Sequence, residues 1–165
     1  MKSKQLSIIS KRPSRSDFTF FLDAQTDSDD LHRVLTDAGL KVVLHRQKFQ
    51  RDEADDVWIS SVASEAWITV SGDKRMERDP VILAAICRFR AKVVLLTDNN
   101  SGYPQWAAAL ISYHNAIVRH MLSSDGPLIV RLSRGGISKV RLPVEVQASR
   151  RQAETEKIVR SKRGK

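Results

Sequence analysis

Short apolar runs alternate with amphipathic stretches along most of the chain, and together they predict an α/β domain. Four runs of β-type residues are apolar almost throughout, which is typical of strands buried on both faces of a parallel sheet. These predicted strands are Phe18–Leu22, Lys41–His45, Trp67–Val70 and Lys92–Leu96. Because helical patterns lie between the strands, we expect right-handed crossovers and helices on both faces of the sheet.

Helix periodicity and helix-end signals predict the segments that connect the strands. Ser28 is expected to cap the first helix, which stops before Gly39. A second helix is predicted over Asp55–Ala66, and a third begins at Asp79-Pro80, where proline suits the first helical position. Tyr103–Leu122 is predicted to be one long amphipathic helix.

The end of the chain carries a different pattern. Leu128–Ser133 and Ile137–Leu142 are β-type runs joined around Gly135-Gly136, which predicts a closing antiparallel hairpin. The polar, basic segments at residues 1–16 and 144–165 are predicted to be tails. The folded domain is therefore expected to span residues 17–143.

Charge is distributed very unevenly along the chain. The net charge is +9, yet residues 1–16 carry five Lys or Arg and no acid, and residues 150–165 carry seven Lys or Arg against two acids. A nearly neutral domain is therefore flanked by basic ends. Basic ends attract nucleic acid or an acidic partner, and solvated ends that only keep the protein in solution are the equal alternative.

Composition restricts the compartment and the class of protein. The 165 residues suit one domain with a core of its own. The single cysteine, Cys87, lies in an apolar helical run and cannot form an internal disulfide, which fits a reducing compartment. No apolar stretch has the length of a signal peptide or a membrane span. We therefore expect a cytoplasmic protein with no membrane partner.

Acidic residues are the main candidates for chemistry. Asp23, Asp73 and Asp98 each follow a predicted strand, where open α/β sheets place their ligands. Asp55 and Asp56 open the helix that leads into the third strand, so one of them can point over the same edge. Each acid alone is equally compatible with a turn or a helix cap. Their convergence on one edge favours a site.

Clustered carboxylates repel one another unless some are protonated or a divalent cation neutralises them. Mg²⁺ and Mn²⁺ prefer oxygen ligands, and a bound metal lowers the pKa of water and stabilises charge on a phosphodiester. The pattern therefore predicts metal-dependent phosphoryl chemistry. The chain shows no zinc-type ligand spacing, nucleophile elbow or phosphate-binding glycine loop. Tyr103 and Trp106 suit base stacking, but helix packing is the favoured interpretation.

The ordered set of motifs resembles PIN-like domains. It comprises FFLD, a helix that ends in Ala-Gly, KVVLH, Asp55-Asp56-Val57-Trp58-Ile59, AWITVSGD and KVVLLT, and it covers roughly Phe18 to Leu142. The closest similarity is to the VapC-type toxin group. The resemblance implies a three-layer α/β/α fold with a mainly parallel sheet and a C-terminal hairpin. It also implies an endoribonuclease that depends on Mg²⁺ or Mn²⁺ and is held inactive by a cognate antitoxin protein.

The resemblance also assigns site residues by position. It implies Asp23, Asp55 and Asp73 as catalytic residues and metal ligands, with Asp56 as a close competitor of Asp55. Asp98 is the positional candidate for the fourth acid, and Glu77 is the alternative. RNA is the implied substrate, and a homodimer is expected by analogy alone.

Two other functions fit parts of the pattern. A PIN-like module that binds RNA or protein without cutting is the first, although the acids at positions 23, 55 and 73 argue against it. A receiver-like domain that is phosphorylated on Asp73 is the second. A receiver also needs an acidic pair after its first strand and a lysine after its fifth, and neither is present, so this function ranks last.

Overall fold

The computed structural model describes residues 17–98 and 102–142. Over these ranges six strands form a single sheet: β1 Thr19–Leu22, β2 Lys41–Leu44, β3 Ile68–Ser71, β4 Lys92–Leu96, β5 Leu128–Ser133 and β6 Gly136–Lys139. The spatial order is β2-β1-β3-β4-β5-β6. The first five strands run parallel, and β6 pairs antiparallel with β5. The predicted parallel sheet with a closing hairpin is confirmed.

Helices cover both faces of this sheet. They are α1 Asp29–Asp37, α2 Asp55–Ser64, α3 Pro80–Phe89, α4 Tyr103–Ser112 and α5 His114–Leu122. Buried residues of α1, α4 and α5 join one hydrophobic cluster, and those of α2 and α3 join a second. The predicted three-layer α/β/α architecture is therefore confirmed.

β1 lies inside the sheet and contributes to both cores. Phe20 and Leu22 point into the first cluster, whereas Phe21 points into the second. All three side chains are almost fully buried. Burying such a side chain contributes about 1.5–3 kcal/mol. Hydrophobic packing therefore holds this strand in place independently of the polar contacts at its carboxyl end.

An aromatic cluster holds α2 against β1. The Phe21 ring stacks on Trp58 of α2 with the ring centroids 5.8 Å apart, and it meets Phe49 edge-on at the same distance. His45 is buried and contacts the same three rings. Offset or edge-to-face pairs of this kind add to the energy of burial alone. They fix the start of α2 near the carboxyl end of β1.

The predicted helix-end signals are confirmed. The Ser28 hydroxyl accepts a hydrogen bond from the Leu31 N–H at 3.3 Å at the start of α1, and Gly39 adopts a φ of +87° just beyond its end. Asp79 Oδ1 accepts from the Val81 N–H at 2.8 Å and caps α3. Each cap satisfies backbone groups that have no partner inside the helix.

The prediction of one long helix at Tyr103–Leu122 is wrong, because the helix breaks at Tyr113 into α4 and α5. A straight helix of that length would extend for about 30 Å. Buried residues of both halves pack into the same cluster, including Leu110 of α4 and Ile117 of α5.

Other differences are small and lie at element ends. β3 begins one residue later than predicted, because Ala66 takes a left-handed φ of 55° after α2 and Trp67 has not yet entered the sheet. The last strand of the hairpin ends at Lys139, earlier than predicted. The predicted tails at residues 1–16 and 144–165, and residues 99–101 of the loop after β4, lie outside the described residues. No helix in the described ranges is long and apolar enough to cross a membrane.

Candidate active site at the carboxyl edge of the sheet

Asp23 follows β1 directly and is buried, with 4% of its surface exposed. Its Oδ1 atom accepts hydrogen bonds from the Gln25 N–H at 3.1 Å, the Thr26 N–H at 3.0 Å and the Thr26 hydroxyl at 2.9 Å. Oδ1 of Asp23 thus stabilises a turn, as the turn interpretation of this acid predicts. Its Oδ2 atom accepts one hydrogen bond, from the Ser71 hydroxyl, and keeps capacity for a further partner.

Ser71 joins the two acids that follow β1 and β3. While its hydroxyl donates to Asp23 Oδ2, its oxygen accepts the backbone N–H of Asp73 at 3.0 Å. Ser71 is fully buried. The parallel register of β1 and β3, in which Leu22 lies opposite Val70, brings these residues together. The predicted convergence of Asp23 and Asp73 on one edge is therefore observed.

Burial raises the pKa of Asp23 above the usual value of 3.8, because an ionised carboxylate loses hydration there. Hydrogen bonds from Ser71, from the Thr26 side chain and from the N–H groups of Thr26 and Gln25 favour the ionised form and partly offset this effect. The result is a carboxylate that gains from a nearby positive charge.

Asp73 has two contacts with Arg75. Its Oδ1 atom accepts the Arg75 N–H at 2.9 Å, which caps the short 3₁₀ turn at Lys74–Glu77. Its Oδ2 atom accepts a hydrogen bond from the guanidinium Nε at 2.9 Å and lies 2.7 Å from Nη2. The Asp73 side chain is 11% exposed, whereas that of Arg75 is 61% exposed. A charged group that is open to solvent therefore covers the Asp73 carboxylate.

Asp55 is the first residue of α2 but does not cap it, because Ala54 holds the cap position without a side-chain bond. The Asp55 Oδ1 atom instead accepts the indole N–H of Trp58 at 3.0 Å. Hydrogen bonding to Asp73 is the main cause that raises the pKa of Arg75, and the charges of Asp55 and Asp79 add to it. The negative charge of Asp55 thus acts on the guanidinium that binds Asp73. Asp56 is exposed on α2.

The two candidates for the fourth acid are both engaged elsewhere. Asp98 follows β4 and accepts the backbone N–H of Arg134 at 2.8 Å, which ties it to the hairpin between β5 and β6. The Glu77 side chain is 8% exposed, and its Oε2 lies 2.6 Å from Nε of Arg131 on β5. These bonds direct both carboxylates toward β5 and the hairpin rather than toward Asp23.

Oxygen donors of the kind that Mg²⁺ and Mn²⁺ prefer do lie at this edge, in Asp23 Oδ2, Ser71 Oγ and Asp73 Oδ2. Within residues 17–98 and 102–142, however, no three His, Cys, Asp or Glu side chains form a group that could hold a metal ion. The donor chemistry therefore fits a hard cation. The rotamers do not yet form a complete ligand set, since Asp73 Oδ2 is paired with Arg75.

Several side chains at this edge carry no clear signal in the sequence. Thr26 and Ser71 hold Asp23, and Arg75 binds Asp73. The only signal for them is their spacing from the acids, since Thr26 is three residues after Asp23 and Ser71 and Arg75 are two residues on either side of Asp73. Tyr103 and Trp106 pack partly buried against the first cluster, which agrees with the packing interpretation.

A comparison with known protein families gives a match over a segment that includes the acids at this edge. A family model described as PIN like domain matches residues 18–98. Over these residues the chain is similar to PIN-like domains. The PIN-like segment contains Asp23, Asp55, Asp73 and Asp98, and it contains the first four strands. PIN-like domains are generally nucleases, so the match indicates a nuclease-type function.

The match does not distinguish a VapC-type subgroup within the PIN-like family, so that finer assignment stays a prediction. No curated protein and no solved structure matches the chain. The individual roles of the acids in the PIN-like segment therefore depend on the geometry described above.

Proposed function

We propose that the protein is a metal-dependent endoribonuclease of the PIN-like type, which hydrolyses RNA phosphodiesters at the carboxyl edge of its sheet. The observation that carries this proposal is the buried link from Asp23 through Ser71 to Asp73, inside the segment that matches a PIN-like family. The Asp23 carboxylate and the Asp73 backbone N–H, 50 positions apart in the sequence, share one hydroxyl there. The bond from Asp73 to Ser71 is a local turn, whereas the bond from Ser71 to Asp23 joins two strand ends and holds both acids at one edge.

Asp23 and Asp73 are the residues that would hold a divalent cation, with Asp55 as the third candidate. A cation bound there would lower the pKa of a water molecule and neutralise charge on the phosphate. Asp23 is suited to this task because Oδ1 is held by Gln25 and Thr26, which leaves Oδ2 oriented toward the site. Its desolvation penalty falls when positive charge comes close.

We propose Asp55 as the residue that orients the attacking water. The bond from the Trp58 indole fixes one of its oxygens, and the other is available to accept a proton from water. The water oxygen forms the new bond to phosphorus, the bond from phosphorus to the leaving ribose oxygen breaks, and that oxygen takes up a proton. Asp56 and Asp98 are further candidates as metal ligands, and both would need new rotamers to reach Asp23.

Within this class we propose a toxin of a type II toxin–antitoxin pair, with a cognate antitoxin protein as partner. The support is the resemblance of the motif order to VapC-type toxins. Salt-dependent attraction between basic terminal segments and RNA would raise substrate affinity. A homodimer is an additional proposal by analogy with that group.

The test is cleavage of a mixed RNA pool by purified protein in Mg²⁺, Mn²⁺ or EDTA, with Asp23→Asn and Asp73→Asn as site variants and Asp37→Asn as control. Asp37 is an exposed acid at the end of α1. We expect cleavage only with metal, retained in the control and lowered at least about 100-fold in each site variant. Because water is the proposed nucleophile, the products should lack 2′,3′-cyclic phosphates.

Cleavage that persists in EDTA, or that yields cyclic phosphates in wild type and variants alike, would point to a contaminating ribonuclease. Retained metal-dependent activity in Asp23→Asn and Asp73→Asn would place the site elsewhere. Either result would contradict the proposal.

A second candidate is a PIN-like module that binds RNA or protein without cutting it. The pairing of Asp73 with Arg75 favours this function, because it neutralises a carboxylate without any metal. Salt-sensitive RNA binding without cleavage, and without any effect of Mn²⁺ on protein stability, would support it.

A further inference from the structure

Arg75 occupies an unusual position for an exposed cation. Its guanidinium binds Asp73 Oδ2 through Nε and Nη2, although 61% of the side chain is open to solvent. Asp55 and Asp79 also act electrostatically on it. The guanidinium thus binds one carboxylate at the edge of the sheet, and the charges of two more, at the starts of α2 and α3, stabilise its positive form.

Oδ2 of Asp73 cannot keep both guanidinium contacts and also bind a divalent cation, because the two contacts use both of its lone pairs. Both guanidinium contacts go to Oδ2, while Oδ1 is used by the Arg75 backbone N–H. A cation that binds Asp73 through Oδ2 therefore displaces the Arg75 side chain. The backbone bond to Oδ1 can stay, so the turn that carries Arg75 keeps its position while the side chain moves.

We propose that Arg75 is a substrate-binding residue that rests on Asp73 until a divalent cation takes its place and then binds the RNA phosphate. The inference depends on the proposed ribonuclease function and adds a residue to it. A guanidinium suits the task because its planar array of donors matches two phosphate oxygens. Its exposure lets it turn toward a phosphate at the same edge without disturbing the core.

If this exchange occurs, Arg75→Ala should strengthen the binding of Mn²⁺ and weaken the binding of RNA. Arg75→Ala removes the competitor for Asp73, so Mn²⁺ should bind more tightly, by roughly fivefold for the loss of one solvent-exposed pair. The same variant loses a charge-assisted contact with phosphate, so the KM for RNA at saturating Mn²⁺ should rise roughly tenfold. A purely structural role for Arg75 would weaken both kinds of binding together.

The experiment measures Mn²⁺ affinity by isothermal titration without RNA, and KM and kcat for RNA separately. It compares wild type with Arg75→Ala, Arg75→Lys and Arg78→Ala. Arg78 is a matched control, because it is a nearby exposed arginine whose Nε lies 4.0 Å from Glu77 rather than on Asp73. Arg75→Lys keeps the charge but not the two-donor fork, so its KM should be intermediate. Arg78→Ala should match wild type in both measurements.

Unchanged or weaker Mn²⁺ binding in Arg75→Ala overturns the inference, and so does an unchanged KM. If wild type binds Mn²⁺ and cleaves RNA while Arg75→Ala behaves identically, only the role of Arg75 fails. If neither wild type nor Arg75→Ala binds Mn²⁺, the proposed ribonuclease fails together with the inference. The two failures are therefore distinguishable from the same titrations.

Discussion

The Ser71 hydroxyl donates a hydrogen bond to the buried Asp23 carboxylate across the β1–β3 boundary. It also accepts the N–H of Asp73, so one side chain satisfies polar groups on two neighbouring strand ends. A buried hydroxyl with partners on both sides is expensive to remove, because each partner is then left without a hydrogen bond. The geometry of the candidate site thus depends on a residue that carries no charge.

Ser71→Ala tests this dependence through stability. The substitution leaves a buried carboxylate oxygen and a buried N–H without their common partner, so we expect it to lower the free energy of unfolding by about 1–3 kcal/mol. Urea unfolding without metal measures the change. Ser64→Ala is the control, because its exposed hydroxyl bonds only to the Ser61 carbonyl in its own helix. An equal effect in both variants would show that the bridge contributes nothing.

Stability should also depend on the ionisation of Asp23. Its pKa is raised in the folded protein, so the native state keeps the proton to a higher pH than the unfolded chain, whose reference value is 3.8. As pH rises from there through the folded pKa, the unfolded chain binds fewer protons and stability falls. Above that window the ionised carboxylate carries a constant penalty.

Asp23→Asn removes this penalty while it keeps an oxygen for the Thr26 donors. In EDTA, we expect the variant to be more stable than wild type at pH 7, with an advantage that shrinks as pH falls through the raised pKa of Asp23 toward 3.8. Urea titrations at several pH values measure the difference, and the exposed Asp37→Asn provides the baseline. An advantage of equal size at every pH would contradict desolvation of the ionised carboxylate as its cause.

Gly39 offers a test of backbone conformation alone. Its φ is +87°, and a Cβ placed there would meet no atom within 4 Å, so any penalty of Gly39→Ala is conformational. We expect a loss of about 1 kcal/mol in thermal or urea unfolding. In Gly135→Ala the nearest atom to the new Cβ would be Ser133 Oγ at 3.6 Å, an ordinary contact. Comparable losses in both variants would contradict the argument.

The Glu77–Arg131 pair allows a test of whether Glu77 is held away from a metal site. The pair joins the turn after β3 to β5, and the carboxylate is only 8% exposed. A double-mutant cycle with alanine at both positions should give a coupling free energy of about 1 kcal/mol, near the upper end of the range for surface ion pairs. We also expect Glu77→Ala to leave Mn²⁺ affinity unchanged.

The Asp30–Arg33 pair is the matched reference, since both of its side chains are more than half exposed. Its coupling should be about 0.3 kcal/mol. A Glu77–Arg131 coupling no larger than this value, or a loss of Mn²⁺ affinity in Glu77→Ala, would make Glu77 a candidate ligand again.

The sheet was predictable because its strands carry a local signal. Buried parallel strands are apolar on both faces, and Lys92–Leu96 matches β4 at both ends. The break at Tyr113 was not predictable, because amphipathic periodicity continues across it and both halves pack into one core cluster. Local pattern determines which segments are helical, and tertiary packing determines where a helix bends.

Within the site, the edge of the sheet at which the acids lie was predictable, but their hydrogen-bond partners were not. An acid after a parallel strand must lie at the carboxyl edge, which holds for Asp23 and Asp73. That Ser71 joins them follows from the register of β1 against β3, which no sequence pattern specifies. The contact between Arg75 and Asp73 depends on a turn conformation, and in the sequence Arg75 looks like any other surface arginine.

The central claim is that Asp23 and Asp73 form a divalent-cation site, and calorimetric titration of Mn²⁺ into metal-free protein tests it most directly. We predict saturable binding to wild type and to Asp37→Asn, and a loss of at least about tenfold in affinity for Asp23→Asn and Asp73→Asn. Equal Mn²⁺ affinity in all four proteins, or no saturable binding to wild type, would contradict the claim.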